Sequence, residues 1–239
     1  MSIAERVQEL FLEIESLARE AGRRPEEITV VAATKTVGAA GILEAAASGI
    51  AHYGENRLQE AEAKAPDLSG ATGLTSHFIG RIQTNKLRRI LALFDVIQSV
   101  DRPEVLDKIE RILAESGVTK TAYLEVNISG EGTKAGFIPE ELDSWFGQKL
   151  FERYPHVVIR GLMTVGAPDG DSTEIRRDFR RMREHFEKFR RIDPRLEVLS
   201  MGMSQDFPEA ILEGSTMIRV GTRIFGERAQ AAPPPKSSA

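Results

Sequence analysis

The chain has 239 residues, 41% hydrophobic and 28% charged, a composition able to build a packed core without a metal or disulfide staple. It contains no cysteine, which excludes thiol catalysis, thiolate metal sites and a disulfide framework, and is what a reducing compartment permits. With 32 basic and 36 acidic residues the net charge is −4, which disfavours a global attraction to nucleic acid or to an anionic membrane.

From the N-terminus, Ile3, Val7, Leu10, Phe11, Ile14, Leu17 and Ala18 recur at helical spacing until Gly22. This start lacks the basic flank and apolar stretch of a signal peptide, and no apolar run approaches the roughly 18 residues of a membrane span, so a cytoplasmic chain is expected. Ile28 to Thr34 is a continuous β-branched and apolar run, the pattern of a strand covered on both faces. Further strands are expected at 50–53, 77–79, 95–100, 121–128, 157–165, 196–200 and 215–220. Helical patterns separate them at 39–48, 56–64, 83–93, 103–116 and 139–149. A long helix carrying Ile175, Phe179, Met182, Phe186 and Phe189 on one stripe follows, then one at 206–213.

Eight strands alternating with helices predict parallel βαβ units closed into a (β/α)8 TIM barrel, with the first helix as an extra N-terminal element. An open doubly wound sheet is disfavoured, because Thr34-Lys35-Thr36-Val37 stands where a glycine-rich dinucleotide turn would be. The expected domain is a single barrel over 1–228. The tail 229–239, with three consecutive prolines, has too little apolar content to pack and is expected to be disordered.

Barrel enzymes carry their sites at the C-terminal ends of the strands. Lys35 stands there after the first strand. Desolvation lowers a lysine's pKa and would make it a Schiff-base nucleophile; the plain alternative is the first solvated residue of a loop. Arg219-Val220-Gly221-Thr222-Arg223 follows the eighth strand and Ser200-Met201-Gly202-Met203-Ser204 ends the seventh, where barrels often bind phosphate. Because the first and eighth strands of a closed barrel are neighbours, these loops and Lys35 could converge on one ligand. Two more polar clusters lie at strand ends, residues 54–60 and 77–86, although Asn56 could simply cap a helix and Asn85 or Lys86 sit on a solvated face. His52, His156 and His185 show no triad or metal spacing and read as structural or exposed. The arginine-rich helix after residue 172 carries interspersed acids and reads as a solvated outer face rather than a nucleic-acid surface.

Taken together, Val31-Ala32-Ala33-Thr34-Lys35-Thr36, Gly54-Glu55-Asn56-Arg57-Leu58-Gln59-Glu60, His77-Phe78-Ile79-Gly80, Gln83-Thr84-Asn85-Lys86, Gly161-Leu162-Met163, Leu199 to Ser204 and Gly214 to Thr222 resemble the pyridoxal phosphate homeostasis protein family. These are barrels related to the N-terminal domain of alanine racemase. The resemblance runs in order over residues 1 to about 226. It implies pyridoxal 5′-phosphate held as a Schiff base on Lys35, with Ser200, Ser204, Gly221 and Thr222 around the phosphate, Asn56 beside the ring and Arg219 opposite the pyridine nitrogen. An arginine there cannot accept the ring proton, so the nitrogen stays neutral and the cofactor is a weak electron sink. Two positions depart from the family pattern: Ser76 replaces a common tryptophan and Gln205 a frequent acid.

The expected role is therefore that of a cofactor carrier taking part in vitamin B6 homeostasis, a monomer without strong catalytic activity, with apo-enzymes as recipients. A weak amino-acid racemase is the alternative, though racemisation needs a second base, and Tyr53, Tyr123 and Tyr154 are not obvious candidates. A cofactor-free Schiff-base aldolase would need an acid/base partner near Lys35 that the sequence does not identify.

Overall fold

The computed structural model describes residues 1–130, 135–166 and 170–227. The tail expectation for 229–239 lies outside the described residues, as does Lys134, which with Lys86 is the alternative attachment lysine should Lys35 not carry the Schiff base. Eight parallel strands close into a barrel in sequence order: β1 Thr29–Ala33, β2 His52–Glu55, β3 Thr75–Phe78, β4 Val96–Val100, β5 Lys120–Glu125, β6 Val157–Met163, β7 Val198–Met203 and β8 Met217–Val220. Pairing of Val31 with both His52 and Arg219 closes the ring through β1. The helices are α1 Ile3–Glu20, α2 Ala39–Ala47, α3 Leu58–Leu68, α4 Leu87–Leu93, α5 Pro103–Ser116, α6 Pro139–Gly147, α7 Ser172–Ile192, α8 Phe207–Leu212 and α9 Thr222–Phe225. Among the described residues, no helix is long and apolar enough to cross a membrane.

Alternation along each strand divides the core. One set of side chains points out under the helices, the other into the barrel, where Val31, Val96, Tyr123, Met163 and Met217 form a plug. Outside, two clusters form: a large one under α3 to α7, and a smaller one under α1, α8 and α9. The extra helix α1 is fixed by a capping box between Ser2 and Glu5 and buries Val7, Leu10, Ile14 and Ala18 over the β8–β1 seam. Ser76 faces outward and binds Asp95 through both its amide and its hydroxyl (2.8 and 2.7 Å), tying β3 to the start of β4.

All eight expected strands are present, but several ends differ. β5 stops at Glu125 rather than 128, because Asn127 turns the chain and its Oδ1 accepts the Gly130 amide at 3.1 Å. β7 runs on to Met203 instead of ending at Ser200. Gly202 there adopts φ +96°, in the region only glycine enters freely, and the register shift that it permits sets Met203 beside Arg219. The helix expected from residue 83 opens as a 3-10 turn, Thr84–Lys86, before α4. The helix expected at 56–64 starts two residues later and continues to Leu68.

Candidate active site at the mouth of the barrel

Lys35 lies half-buried just beyond β1, in register with the inward-facing Val31 and Ala33. Its neighbours are held firmly. Thr34 is fully buried and donates its hydroxyl to Glu55 Oε1 at 2.5 Å and to the Gly54 carbonyl at 3.1 Å. Lys64 Nζ donates to the same Glu55 oxygen at 2.6 Å and to the Thr34 carbonyl at 2.9 Å. Burial pushes the Glu55 carboxyl above its ordinary value, against the pull of Lys64 and Thr34. On the other side Thr36 occupies the left-handed region at φ +66°, unfavourable for a β-branched residue, and its amide is held by Glu60 at 3.1 Å. The backbone on both sides of Lys35 is thus fixed by side chains from β2 and α3.

The loops after β7 and β8 meet Lys35 across the barrel seam. The Gly221 amide donates to Ser204 Oγ at 3.0 Å, joining the two loops. A Cβ on Gly221 would stand 3.0 Å from the Ala33 carbonyl oxygen, so any side chain there pushes against β1. Arg219 is buried. Nη1 donates to Ser200 Oγ at 2.5 Å and Nη2 to the Thr164 carbonyl at 2.8 Å. Burial lowers its guanidinium to about 10, partly opposed by the charges of Asp206 and Glu125.

A cavity of about 520 Å³ opens between these elements, and Lys35, Asn56, Ser204, Arg219, Gly221 and Thr222 all line it. Asn56 Oδ1 is buried against it with no hydrogen-bond partner among the described residues. Ser200 is different. It is fully buried below the wall, its hydroxyl engaged by Gln98 Oε1 at 2.8 Å and by Arg219, so it supports the arginine rather than facing the cavity. Asn85 and Lys86, on the 3-10 turn before α4, are also absent from the cavity wall.

The rest of the wall includes Asp206, which the sequence reading did not name, and three residues it named only within a motif or on a helix stripe. Ile79 and Ile175 give it apolar surface, and Met203 and Asp206 come from the β7–α8 connection. Asp206 accepts the Met203 amide at 2.5 Å, and burial pushes its carboxyl above the usual carboxylate range. Its signal in the sequence was the pattern of an acid just before a helix opening with Phe-Pro. Of the positions that depart from the family pattern, Gln205 borders the cavity and Ser76 does not. Several basic residues of α7 are paired: Arg176 and Arg180 clasp Glu213, Lys188 meets Asp143, and Arg181 donates to the Ile128 carbonyl. No group of acids and histidines among the described residues could hold a metal ion.

The sequence profile described as "Alanine racemase, N-terminal domain" matches residues 8–229. The pyridoxal phosphate homeostasis protein of Pseudomonas aeruginosa is 37% identical over 232 residues, covering 97% of this chain and 98% of its own. The structure of PipY from Synechococcus elongatus PCC7942 with PLP bound superposes with a TM-score of 0.80 at 35% identity, covering 94% of this chain and all of PipY. Alanine racemase from Streptomyces coelicolor shares the fold at a TM-score of 0.71 and 17% identity, and 59% of its length is covered. With a full-length match of this kind on a closed eight-stranded barrel, the chain belongs to the alanine racemase N-terminal domain family, and within it to the pyridoxal phosphate homeostasis proteins.

Proposed function

We propose that the chain binds pyridoxal 5′-phosphate on Lys35 and acts as a carrier in its homeostasis, holding the reactive aldehyde and releasing it to apo-enzymes. One observation carries this reading: an amine, two phosphate-type loops and a fixed cation converge on one cavity from both ends of the chain. The residues fit the group. Lys35 Nζ would take the aldehyde carbon reversibly, with its oxygen leaving as water. The Ser204 and Thr222 hydroxyls with the Gly221 turn suit a phosphate, and the Asn56 side chain, whose Oδ1 has no partner among the described residues, suits the polar edge of the ring. Arg219, as a donor-only cation, suits an unprotonated ring nitrogen. Bound there, the cofactor would supply an electrophilic carbon, and a neutral pyridine makes it a modest electron sink.

Weak catalysis is consistent with what surrounds the site. Tyr53, Tyr123 and Tyr154 all lie off the cavity wall; burial pushes Tyr123 up to about 12, and Tyr154 donates to Asp107 at 2.8 Å. A weak racemase is the second reading, favoured by Asp206, an acid with a raised pKa on the same wall as Lys35. Exchange of the amino-acid α-hydrogen in deuterated water separates the two: rapid exchange with racemisation sinks the carrier. The cofactor reading itself is tested by borohydride reduction of the reconstituted protein and peptide mass mapping. A pyridoxyl-phosphate adduct on Lys35 is expected; an adduct on another lysine, or none, overturns it. Sedimentation is expected to give a monomer.

A further inference from the structure

The barrel interior holds a polar chain as well as an apolar plug. His52 Nδ1 on β2 lies 3.0 Å from His77 Nε2 on β3. His77 Nδ1 lies 2.8 Å from Gln98 Nε2 on β4. The other end of that amide, Oε1, accepts from Ser200 Oγ on β7 at 2.8 Å, and Ser200 Oγ accepts from Arg219 Nη1 on β8 at 2.5 Å. His77, Gln98, Ser200 and Arg219 are all buried.

The ends of this chain determine its direction. A guanidinium only donates, so Ser200 Oγ accepts there and its single proton goes to Gln98 Oε1. The amide nitrogen of Gln98 also faces Met217 Sδ at 3.4 Å, a thioether that can only accept. Both neighbours therefore fix the amide in the same orientation. His77 Nδ1 must then carry the lone pair and Nε2 the proton, which is donated to His52 Nδ1. That leaves the proton of His52 on its own Nε2. Burial holds His77 neutral, with its pKa lowered to about 3, so the doubly protonated ring that would break this order is disfavoured. The charged groups around the chain are Asp95 near His77, and Asp206 and Glu125 near Arg219.

We infer that His52, His77, Gln98 and Ser200 are positioning residues that form one polarised hydrogen-bond chain and fix the Arg219 guanidinium in the cavity wall. Thr164 holds Nη2 through its carbonyl, and the chain makes Ser200 an obligate acceptor for Nη1. Broken in the middle, the chain frees the Ser200 hydroxyl to turn, and the arginine loses a fixed partner. The consequence for the cofactor rests on the proposed reading of the cavity; the proton order does not.

Two measurements test this. Long-range proton–nitrogen NMR of the cofactor-free protein is expected to show both His52 and His77 as neutral Nε2–H tautomers. An Nδ1–H tautomer at His77 overturns the chain, whatever the cavity binds. The second uses pyridoxal 5′-phosphate itself with Gln98→Leu, His77→Leu and His77→Gln. Glutamine at position 77 can still accept at one end and donate at the other, as the ring does. Trapping on Lys35 is expected in all three. In the two leucine variants the absorption band of the bound cofactor should move and its titration midpoint should rise, because a loosened cation disfavours ring protonation less. His77→Gln should stay near the parent. Equal shifts in both His77 variants, or no shift with Gln98→Leu, would mean that the chain only packs the barrel. Failure of the parent protein to trap the cofactor would sink the cavity reading and leave the NMR test standing.

Discussion

The barrel is built from two unlike halves. Under α4 to α7, beside β3 to β6, the packing is aromatic: Phe94, Trp145, Phe146, Phe151, Phe186 and Phe189 are buried, and Phe146 stacks on Phe189 at 4.5 Å between centroids. Around β8, β1 and β2 the buried residues are mostly smaller, among them Ala18, Ala32, Ala45, Val30 and Val220, with Phe207 the large exception. Lys35, Asn56, Gly221 and Thr222 all extend from this second half. Large rings fix helices on a sheet through wide contact, whereas small side chains let neighbouring backbones come close and leave room for a ligand. One half therefore supports the barrel and the other presents the chemistry, and perturbations of each should have different readouts.

The largest effect should come from Lys35→Ala, which is expected to abolish covalent trapping of pyridoxal phosphate with the melting temperature barely changed. Retained trapping would mean that another lysine, Lys86 or Lys134, carries the cofactor. In the aromatic half, Phe146→Ala should cost about 3–5 kcal/mol of stability while the folded fraction still traps cofactor on Lys35. Denaturant unfolding checks the first part, and loss of trapping without loss of stability would erase the division between halves. Gly221→Val should do the reverse, weakening cofactor affinity about tenfold (about 1.4 kcal/mol) through the clash with the Ala33 carbonyl, with a smaller effect on unfolding.

The effect that is smallest near neutral pH concerns acid, and it lies between the halves. Burial, aided by His52, lowers His77 from 6.5 to about 3, so between those values the unfolded chain binds a proton that the folded chain refuses. This contribution leaves stability untouched above pH 6.5 and removes about 1.4 kcal/mol per pH unit below it, levelling near pH 3. His77→Gln, which does not titrate, should flatten that part of the stability profile. An unchanged profile would show that His77 is protonated in the folded protein at mildly acidic pH.

The sequence by itself determined the strand count, the alternation with helices and hence the closed barrel, because apolar runs and helical stripes record which faces must leave water. It also brought Lys35 and the 219–222 segment together, since closure makes first and last strands neighbours. Strand ends were less legible: β7 runs past its expected end at Ser200 because the positive φ of Gly202 bends the strand without ending it. Only the tertiary structure decided that Ser200 lies beneath the wall, that Asp206 lies on it, and that His52 and His77 share the barrel interior. The two histidines are 25 residues apart, and nothing local to either marks it as inward-facing. Which side of a strand a polar residue occupies is settled by the pleat and the strand register, and register comes from pairing across the whole closed sheet.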